Sequence, residues 1–319
     1  MPRIKRVSIK PADVTWYKAY DIYEQEKERY NVSESTLKIY RITFEKWNKV
    51  FDIDETVNVP DAAAYTYDEF VDILREQGLK ADSINTYCRN IHHFFRWLNQ
   101  RNFINDNRIA IVVKTDDPLP KFLTDEEVET LLTSPYNRNS FTECRSYTLI
   151  CLMLATGIRV GSAAELLITD WNREEETLTL RKTKTRKQQV LYLSAAASEV
   201  LDDYYYSFLK GTNIKYLFPG IYGEKIGVVG LEKAHKTFCA NRGVKNDHLH
   251  SLRHTMARNW VKSGGSVYKL QKALNHKSIN STAVYARLVD QDLIRDFEEY
   301  NVLSQYVGTK RTIKPRRRN

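Results

Sequence analysis

The sequence predicts a mainly α-helical protein of two domains, the second carrying a small β-hairpin. Three observations predict it. Before residue 104, apolar residues recur at spacings of three and four, the period of one helix face. Around Pro118 and Pro120 that period lapses, and a second helical stretch opens at Thr124. Within the second stretch, TLTLR (177–181) and VLYL (190–193) are β-prone runs flanking a polar, basic segment, which is a hairpin pattern.

Residues 1–10 hold Arg3, Lys5, Arg6 and Lys10 and read as a basic N-terminal arm. Residues 11–103 read as an all-helical domain. Leu37, Tyr40, Phe44, Trp47 and Phe51 line one face of a helix that Ser33 or Ser35 can cap. A second helix is expected after Asp82 and Ser83, with Ile84, Tyr87, Cys88, Ile91, Phe94, Phe95 and Leu98 as its stripe. Rings placed in helical stripes belong to a core rather than to a base-stacking platform. Residues 104–120, with Asp116, Asp117, Pro118 and Pro120, read as an extended linker, because proline cannot continue a helix. Residues 121–300 form the second domain, opened by Thr124 and Glu127 in a capping-box pattern. Residues 301–319 are a basic tail with Lys314, Arg316, Arg317 and Arg318.

Forty-nine Lys and Arg against 40 Asp and Glu leave a formal charge of +9, concentrated at the two ends and between 181 and 187. Such a distribution suits a polyanionic partner. The four cysteines, Cys88, Cys144, Cys151 and Cys239, have neither CxxC pairing nor histidines at zinc-finger spacing, so no disulfide framework or structural metal is expected. They read as reduced, mostly buried thiols. No apolar run reaches membrane-spanning length, and no hydrophobic segment follows the basic start, so the expected compartment is the cytoplasm.

Four separated segments carry chemistry. In TGIRVGSAAEL, Gly157 is a plausible helix C-cap and Arg159 lies in the turn that follows, where an arginine can also serve merely to cap carbonyls. In RKTKTRKQQ, Lys184 sits at the hairpin turn, on a rigid support from which an ammonium can enter a DNA groove and protonate a leaving oxygen. In HLHSLRHT, His250 and Arg253 share a helix face; a guanidinium can hold two phosphate oxygens while an imidazole moves a proton near neutral pH. In LNHKSINSTAVYARL, His276 precedes a Ser-rich turn and Tyr285 follows nine residues later. Alone, each segment has an ordinary structural explanation, and Tyr285 is one of 20 tyrosines.

In the order Arg, Lys, His-x-x-Arg, His, Tyr, the four segments resemble the tyrosine recombinase, or phage integrase, family over nearly the whole chain. TGIR is similar to the family's first arginine motif, HSLRHT to its His-x-x-Arg motif and LNHKSINSTAVYARL to its nucleophile motif. KTKT (182–185) resembles the hairpin lysine motif, with the lysine on Lys184 rather than Lys182. One departure stands out: three residues after the first arginine the family usually carries an acid, and here that position is Ser162, with Glu165 out of register.

The resemblance implies a helical core-binding domain over 11–103 that closes a clamp around DNA with a catalytic domain over 121–300. It implies site-specific recombination through a 3′-phosphotyrosyl intermediate on Tyr285; integration and excision of a mobile element is the expected setting, with a phage, transposon or chromosome-resolving role all open on the sequence. Arg159 and Arg253 would hold the non-bridging oxygens, His250 would act as general base, Lys184 would protonate the 5′-oxygen and His276 would support the phosphate. Arg181, Lys182, Arg186 and Lys187 would contact DNA. Neither metal nor cofactor is implied. The partners implied are double-stranded DNA at specific sites, a homotetramer on two duplexes formed from monomers, and accessory DNA-bending or directionality factors, with no membrane. The stripe Leu293, Ile294, Phe297 and Tyr300 would dock into a neighbouring protomer or into its own. Two alternatives remain at this point, a relaxing type IB-like topoisomerase and a non-catalytic sequence-specific DNA-binding protein on the same fold.

Overall fold

The computed structural model describes residues 14–106, 108, 109, 111–115, 120–134, 136–181, 188–276, 278, 282, 284 and 285. The two basic ends, Lys182, Lys184, Arg186, Lys187 and the stripe from Leu293 to Tyr300 lie outside the described residues. The chain divides into two compact units, Met1–Pro118 and Leu119–Asn319.

The first unit holds α1 (Trp16–Arg29), α2 (Glu34–Phe51), α3 (Val59–Ala62), α4 (Tyr67–Glu76) and α5 (Ala81–Gln100). Ser33 caps α2, its hydroxyl accepting from the Thr36 amide at 3.4 Å, and the helix ends where Asp52 turns left-handed. The stripes close on an aromatic core: Trp16, Phe44, Trp47, Phe70, Phe94 and Phe95 are all nearly inaccessible. The Trp16 indole NH is satisfied by the Asn48 carbonyl at 2.8 Å, so that ring is buried with its donor bonded. At α5 the structure differs from expectation. The helix starts at Ala81 with Lys80 as N-cap, and Asp82 lies inside the first turn, where its charge favours the helix dipole instead of capping an amide. The described part of the expected linker is pinned to this unit. Asn85 exchanges two 2.8 Å hydrogen bonds with the main chain of Val113, and the Arg108 guanidinium lies over the Phe95 ring while donating to the carbonyls of Ala63 and Tyr65.

The second unit holds α6 (Asp125–Thr133), α7 (Phe141–Thr156), α8 (Val160–Ala163), β1 (Trp171–Asn172), β2 (Thr177–Leu180) and β3 (Gln189–Tyr192). It continues through α9 (Ala195–Tyr204), a π-turn (Tyr205–Leu209), α10 (Val228–Ala240), α11 (Leu249–Lys262) and α12 (Val267–Ala273). Thr124 and Glu127 form a reciprocal capping box at 3.1 and 3.0 Å. Helix α7 is apolar on most sides because α6, α9, α10 and α11 surround it. It stops at Gly157, whose φ of +64° supplies the left-handed cap expected there. The hairpin pairs antiparallel with Thr177 opposite Tyr192 and Leu180 opposite Gln189. A third strand, β1, pairs on its other side; two residues are too short to show an alternation in sequence. Cys88, Cys144 and Cys239 are buried free thiols and Cys151 is partly buried. Among the described residues no helix is long and apolar enough to cross a membrane.

Candidate active site

Helix α11 is the backbone of the site. It packs along α7, which brings its second turn under the loop Gly157–Arg159. A buried cation is costly unless its protons are bonded, and Arg253, 6% exposed, meets that condition. Its guanidinium donates to the Gly157 carbonyl, to the Leu274 carbonyl at 2.8 Å and to Nε2 of His276 at 2.9 Å. Burial, and then the neighbouring charge of Arg159, hold its pKa down to about 10, so it stays charged at neutral pH.

Arg159 occupies the N-cap position of α8 in an extended conformation. It is partly buried, and burial lowers its pKa. Among the described residues its guanidinium makes no hydrogen bond or ion pair. A half-buried cation beside a second cation, with no carboxylate partner among the described residues, can stabilise an anion.

Asn275, left-handed at φ +50°, turns the chain out of α12 and presents His276. Because Nε2 of His276 accepts from Arg253, its proton is assigned to Nδ1, which donates to the Thr282 hydroxyl at 2.8 Å. Burial, then Arg253 and Arg159, hold this imidazole neutral with a pKa of about 4. In this tautomer His276 props Arg253 and the Thr282 turn and has no proton left for a phosphate.

Tyr285 is helical and 2% exposed, its ring packed with Met256, Ala257, Val261, Leu270 and Leu274. Its hydroxyl lies 2.6 Å from Nδ1 of His254. Burial raises the phenol's pKa and Arg253 pulls it back. His254 is held below its ordinary value by burial, then by His250 and Arg253; it is therefore neutral, and the phenol is the donor. His250, expected to be the base for Tyr285, stands exposed in the first turn of α11, its ring centroid 6.4 Å from that of His254. Burial, then Arg253 and Arg159, lower its pKa.

The loop end of strand β3 is moored to the same cluster. Gln189 donates to the Ala273 carbonyl at 2.8 Å, three residues before His276. At the other strand end Arg181 pairs with Asp170 and reaches the Thr169 hydroxyl at 3.2 Å, so its charge is partly committed within the protein. Lys184 itself lies outside the described residues. The Ser162 amide donates to Arg159 O at 2.9 Å and its carbonyl accepts from the Glu165 amide at 3.2 Å, and the Glu165 carboxylate is paired with Lys225 at 2.5 Å. A cavity of about 290 Å³ lies beside Ser162, and the buried carboxylate on its wall is Asp170.

The structure thus gathers Arg159, His250, Arg253, His276 and Tyr285 from three separated segments of one unit. Two members escaped the sequence reading. His254 follows Arg253 directly and sits one turn from His250, so its place on the His250 side of the helix is readable from the spacing. Thr282, fully buried, offers no signal beyond its place three residues before Tyr285.

Residues 121–292 match the model of the phage integrase family, which spans more than half of the chain and every segment of this cluster. The chain belongs to that family. The recombinase is 26% identical over 261 residues to the tyrosine recombinase XerC of Listeria welshimeri, a match covering 77% of this chain and 86% of that protein. Among solved structures it resembles the Tn1549 transposon integrase in complex with transposon right end DNA (TM-score 0.66, 18% identity, 86% of this chain and 99% of that one). It also resembles a lambda integrase tetramer bound to a Holliday junction (TM-score 0.64, 20% identity, 86% and 78%). The mainly helical fold with one small antiparallel sheet is the fold of these enzymes, and the activity of the recombinase is that of a tyrosine-type site-specific DNA recombinase. The topoisomerase and non-catalytic readings are not favoured.

Proposed function

We propose that the recombinase cuts and rejoins double-stranded DNA at specific sites through a bond between Tyr285 and a backbone phosphate, in the integration and excision of a mobile element. The observation that carries the site assignment is electrostatic: the charge of Arg159 helps to lower the pKa of Arg253, neither guanidinium forms an ion pair with a carboxylate among the described residues, and a buried tyrosine lies beside them. Charge builds on the non-bridging oxygens in the transition state, and fixed cations stabilise it there more than in the ground state. Storing the cut strand as a phosphotyrosine makes external energy unnecessary. His250, exposed beside both arginines, is placed to meet the phosphate, and Lys184 on the hairpin protonates the departing 5′-oxygen. The two arginines and the lysine supply the charge that a two-metal nuclease takes from its ions.

The first unit, over residues 11–103, acts as the core-binding domain, with 104–120 as the linker and 121–300 as the catalytic domain. Lys182, Arg186 and Lys187, with Arg181 where its pairing to Asp170 allows, add groove or phosphate contacts. Four cleavages per exchange call for a homotetramer on two duplexes, assembled from monomers in the cytoplasm, with accessory DNA-bending factors where the site requires them. The lambda integrase tetramer on a Holliday junction supports that assembly by likeness of fold, and the Tn1549 integrase supports the mobile-element setting.

The test is covalent trapping. The full chain, in excess chelator, is incubated with nicked duplexes drawn from the DNA flanking its gene and run on a denaturing gel beside Tyr285→Phe. An adduct present in the wild type and absent from the variant is the expected result. An adduct that persists in Tyr285→Phe, or a folded wild type that binds one duplex specifically and never cleaves it, overturns the assignment.

A further inference from the structure

Among the described residues, His254 holds the Tyr285 hydroxyl, at 2.6 Å through Nδ1. We infer that His254 is the catalytic base that takes the phenolic proton as Tyr285 attacks phosphorus, a deepening of the reading above that rests on Tyr285 being the nucleophile.

The chemistry balances without a further reagent. The Tyr285 oxygen bonds to phosphorus while its proton passes to Nδ1 of His254; the bond from phosphorus to the 5′-oxygen breaks, and that oxygen takes a proton from Lys184. On religation the 5′-hydroxyl returns its proton, the phosphotyrosyl bond breaks, and His254 hands its proton back to the phenolate. A buried phenol titrates above its ordinary value of about 10, so attack near neutral pH needs a positioned acceptor.

The groups that face His254 explain when it can act. From its own helix come His250 and Arg253; from the segment before α6 comes the Phe122 ring, edge-on with centroids 6.4 Å apart; from the C-terminal segment come Tyr285 and His276. All are neutral or positive. Together with burial they favour the neutral imidazole of His254, whose Nδ1 faces the Tyr285 hydroxyl. They also penalise the imidazolium until a phosphate brings negative charge between the arginines. Proton transfer is thereby coupled to substrate occupancy, which limits idle ionisation of the nucleophile. His250 lacks a hydrogen bond to Tyr285 among the described residues, which leaves it for the phosphate.

A competing role for the same contact is a latch that parks the tyrosine away from the phosphate, and it predicts the opposite sign. Single-turnover adduct formation on a nicked duplex is measured from pH 5.5 to 9 for the wild type, His254→Gln, Tyr285→Phe and a chain with a fluorinated, more acidic tyrosine at position 285. His254→Gln is expected to slow adduct formation about 100- to 1,000-fold at neutral pH, the usual range for a lost general base. Its rate should rise steadily with pH, and the fluorinated tyrosine should recover at least about tenfold of the loss because it ionises without help. Wild-type or faster cleavage by His254→Gln overturns the inference in favour of the latch. Equal slowing at every pH with no fluorotyrosine rescue overturns it in favour of a packing role. Should His254→Gln not fold, the fluorinated tyrosine in the otherwise unaltered chain decides: loss of the acidic limb of the pH profile supports the base, and an unchanged limb overturns it. Loss of the adduct in Tyr285→Phe with full activity in His254→Gln removes this inference alone, whereas an adduct surviving Tyr285→Phe removes the nucleophile assignment beneath it.

Discussion

Arg253 donates a hydrogen bond to the carbonyl of Gly157, two residues ahead of Arg159, so one guanidinium of the recombinase sets the loop that presents the other. The two cations are a mechanically linked pair rather than two independent charges, and substitution of the buried one should disturb both.

Arg253→Lys keeps the charge and loses the fork, since an ammonium has no planar array to serve Gly157, Leu274 and His276 together. Phosphotyrosyl adduct formation should fall at least about 100-fold, the scale seen for a lost transition-state donor. Stability should drop by about 2 kcal/mol as carbonyls lose a charged donor. Paired trapping gels and urea melts check both, and near-normal cleavage by the lysine variant would show that charge alone suffices.

Gly157→Ala places a Cβ in a left-handed residue and 2.6 Å from Cδ2 of Leu274, with Sδ of Met256 at 3.2 Å. Backbone strain and overpacking together should cost about 2 to 4 kcal/mol. Leu274 carries one of the carbonyls that hold Arg253, so cleavage at a temperature where the variant is fully folded should fall as well.

Asp170 is buried, accepts from the Leu167 amide at 2.9 Å and pairs with Arg181. Asp170→Asn keeps the amide bond and loses only a pair whose arginine is largely exposed, a change expected to cost less than about 1 kcal/mol. Asp170→Ala strands the amide and should cost about 2 kcal/mol. Hydrogen exchange at Leu178 and Leu180 should quicken in the alanine variant and stay near normal in the asparagine variant.

His235 is 1% exposed and its pKa is pushed down to about 4 by burial, with Asp247 opposing and His248 assisting. The unfolded chain protonates this histidine first, near 6.5. Its contribution is therefore complete above that pH and drains away as pH falls towards 4, by up to about 3 kcal/mol. His276, depressed to about 4 as well, adds in the same direction. Urea melts at pH 7.5, 5.5 and 4.5 should show the loss, and His235→Leu should flatten it.

The elements legible in the sequence were those whose signal is local. The stripe from Leu37 to Phe51, the capping box of Thr124 and Glu127, the glycine stop at 157 and the paired runs at 177 and 190 all appear in the structure where their period or cap chemistry placed them. The start of α5 slipped because Asp82 and Ser83 are good caps by type, yet the Ala81 backbone could already enter the helix behind them. Within the candidate site, the order of Arg159, His250, Arg253, His276 and Tyr285 along the chain singled out side chains that the fold brings near one another, whereas their bonding was not legible. That Arg253 spends its protons on Gly157 and Leu274, that His276 points its lone pair at Arg253, and that Tyr285 meets His254 instead of His250 depend on how α11, α12 and the last described turn pack. Sequence spacing fixes which face a side chain shares, and only packing fixes what it touches.

With the Leu274 carbonyl and the His276 nitrogen both served by Nη2 of Arg253, and Gly157 by Nη1, the guanidinium plane cannot swivel to meet a ligand from either side. A phosphodiester seated there presents two non-bridging oxygens that differ only in handedness, and a locked plane treats them as different. The recombinase should accordingly read chirality at phosphorus: sulfur in place of one of those oxygens slows cleavage far more than sulfur in place of its mirror partner, and freeing the plane by Arg253→Lys erases most of that preference.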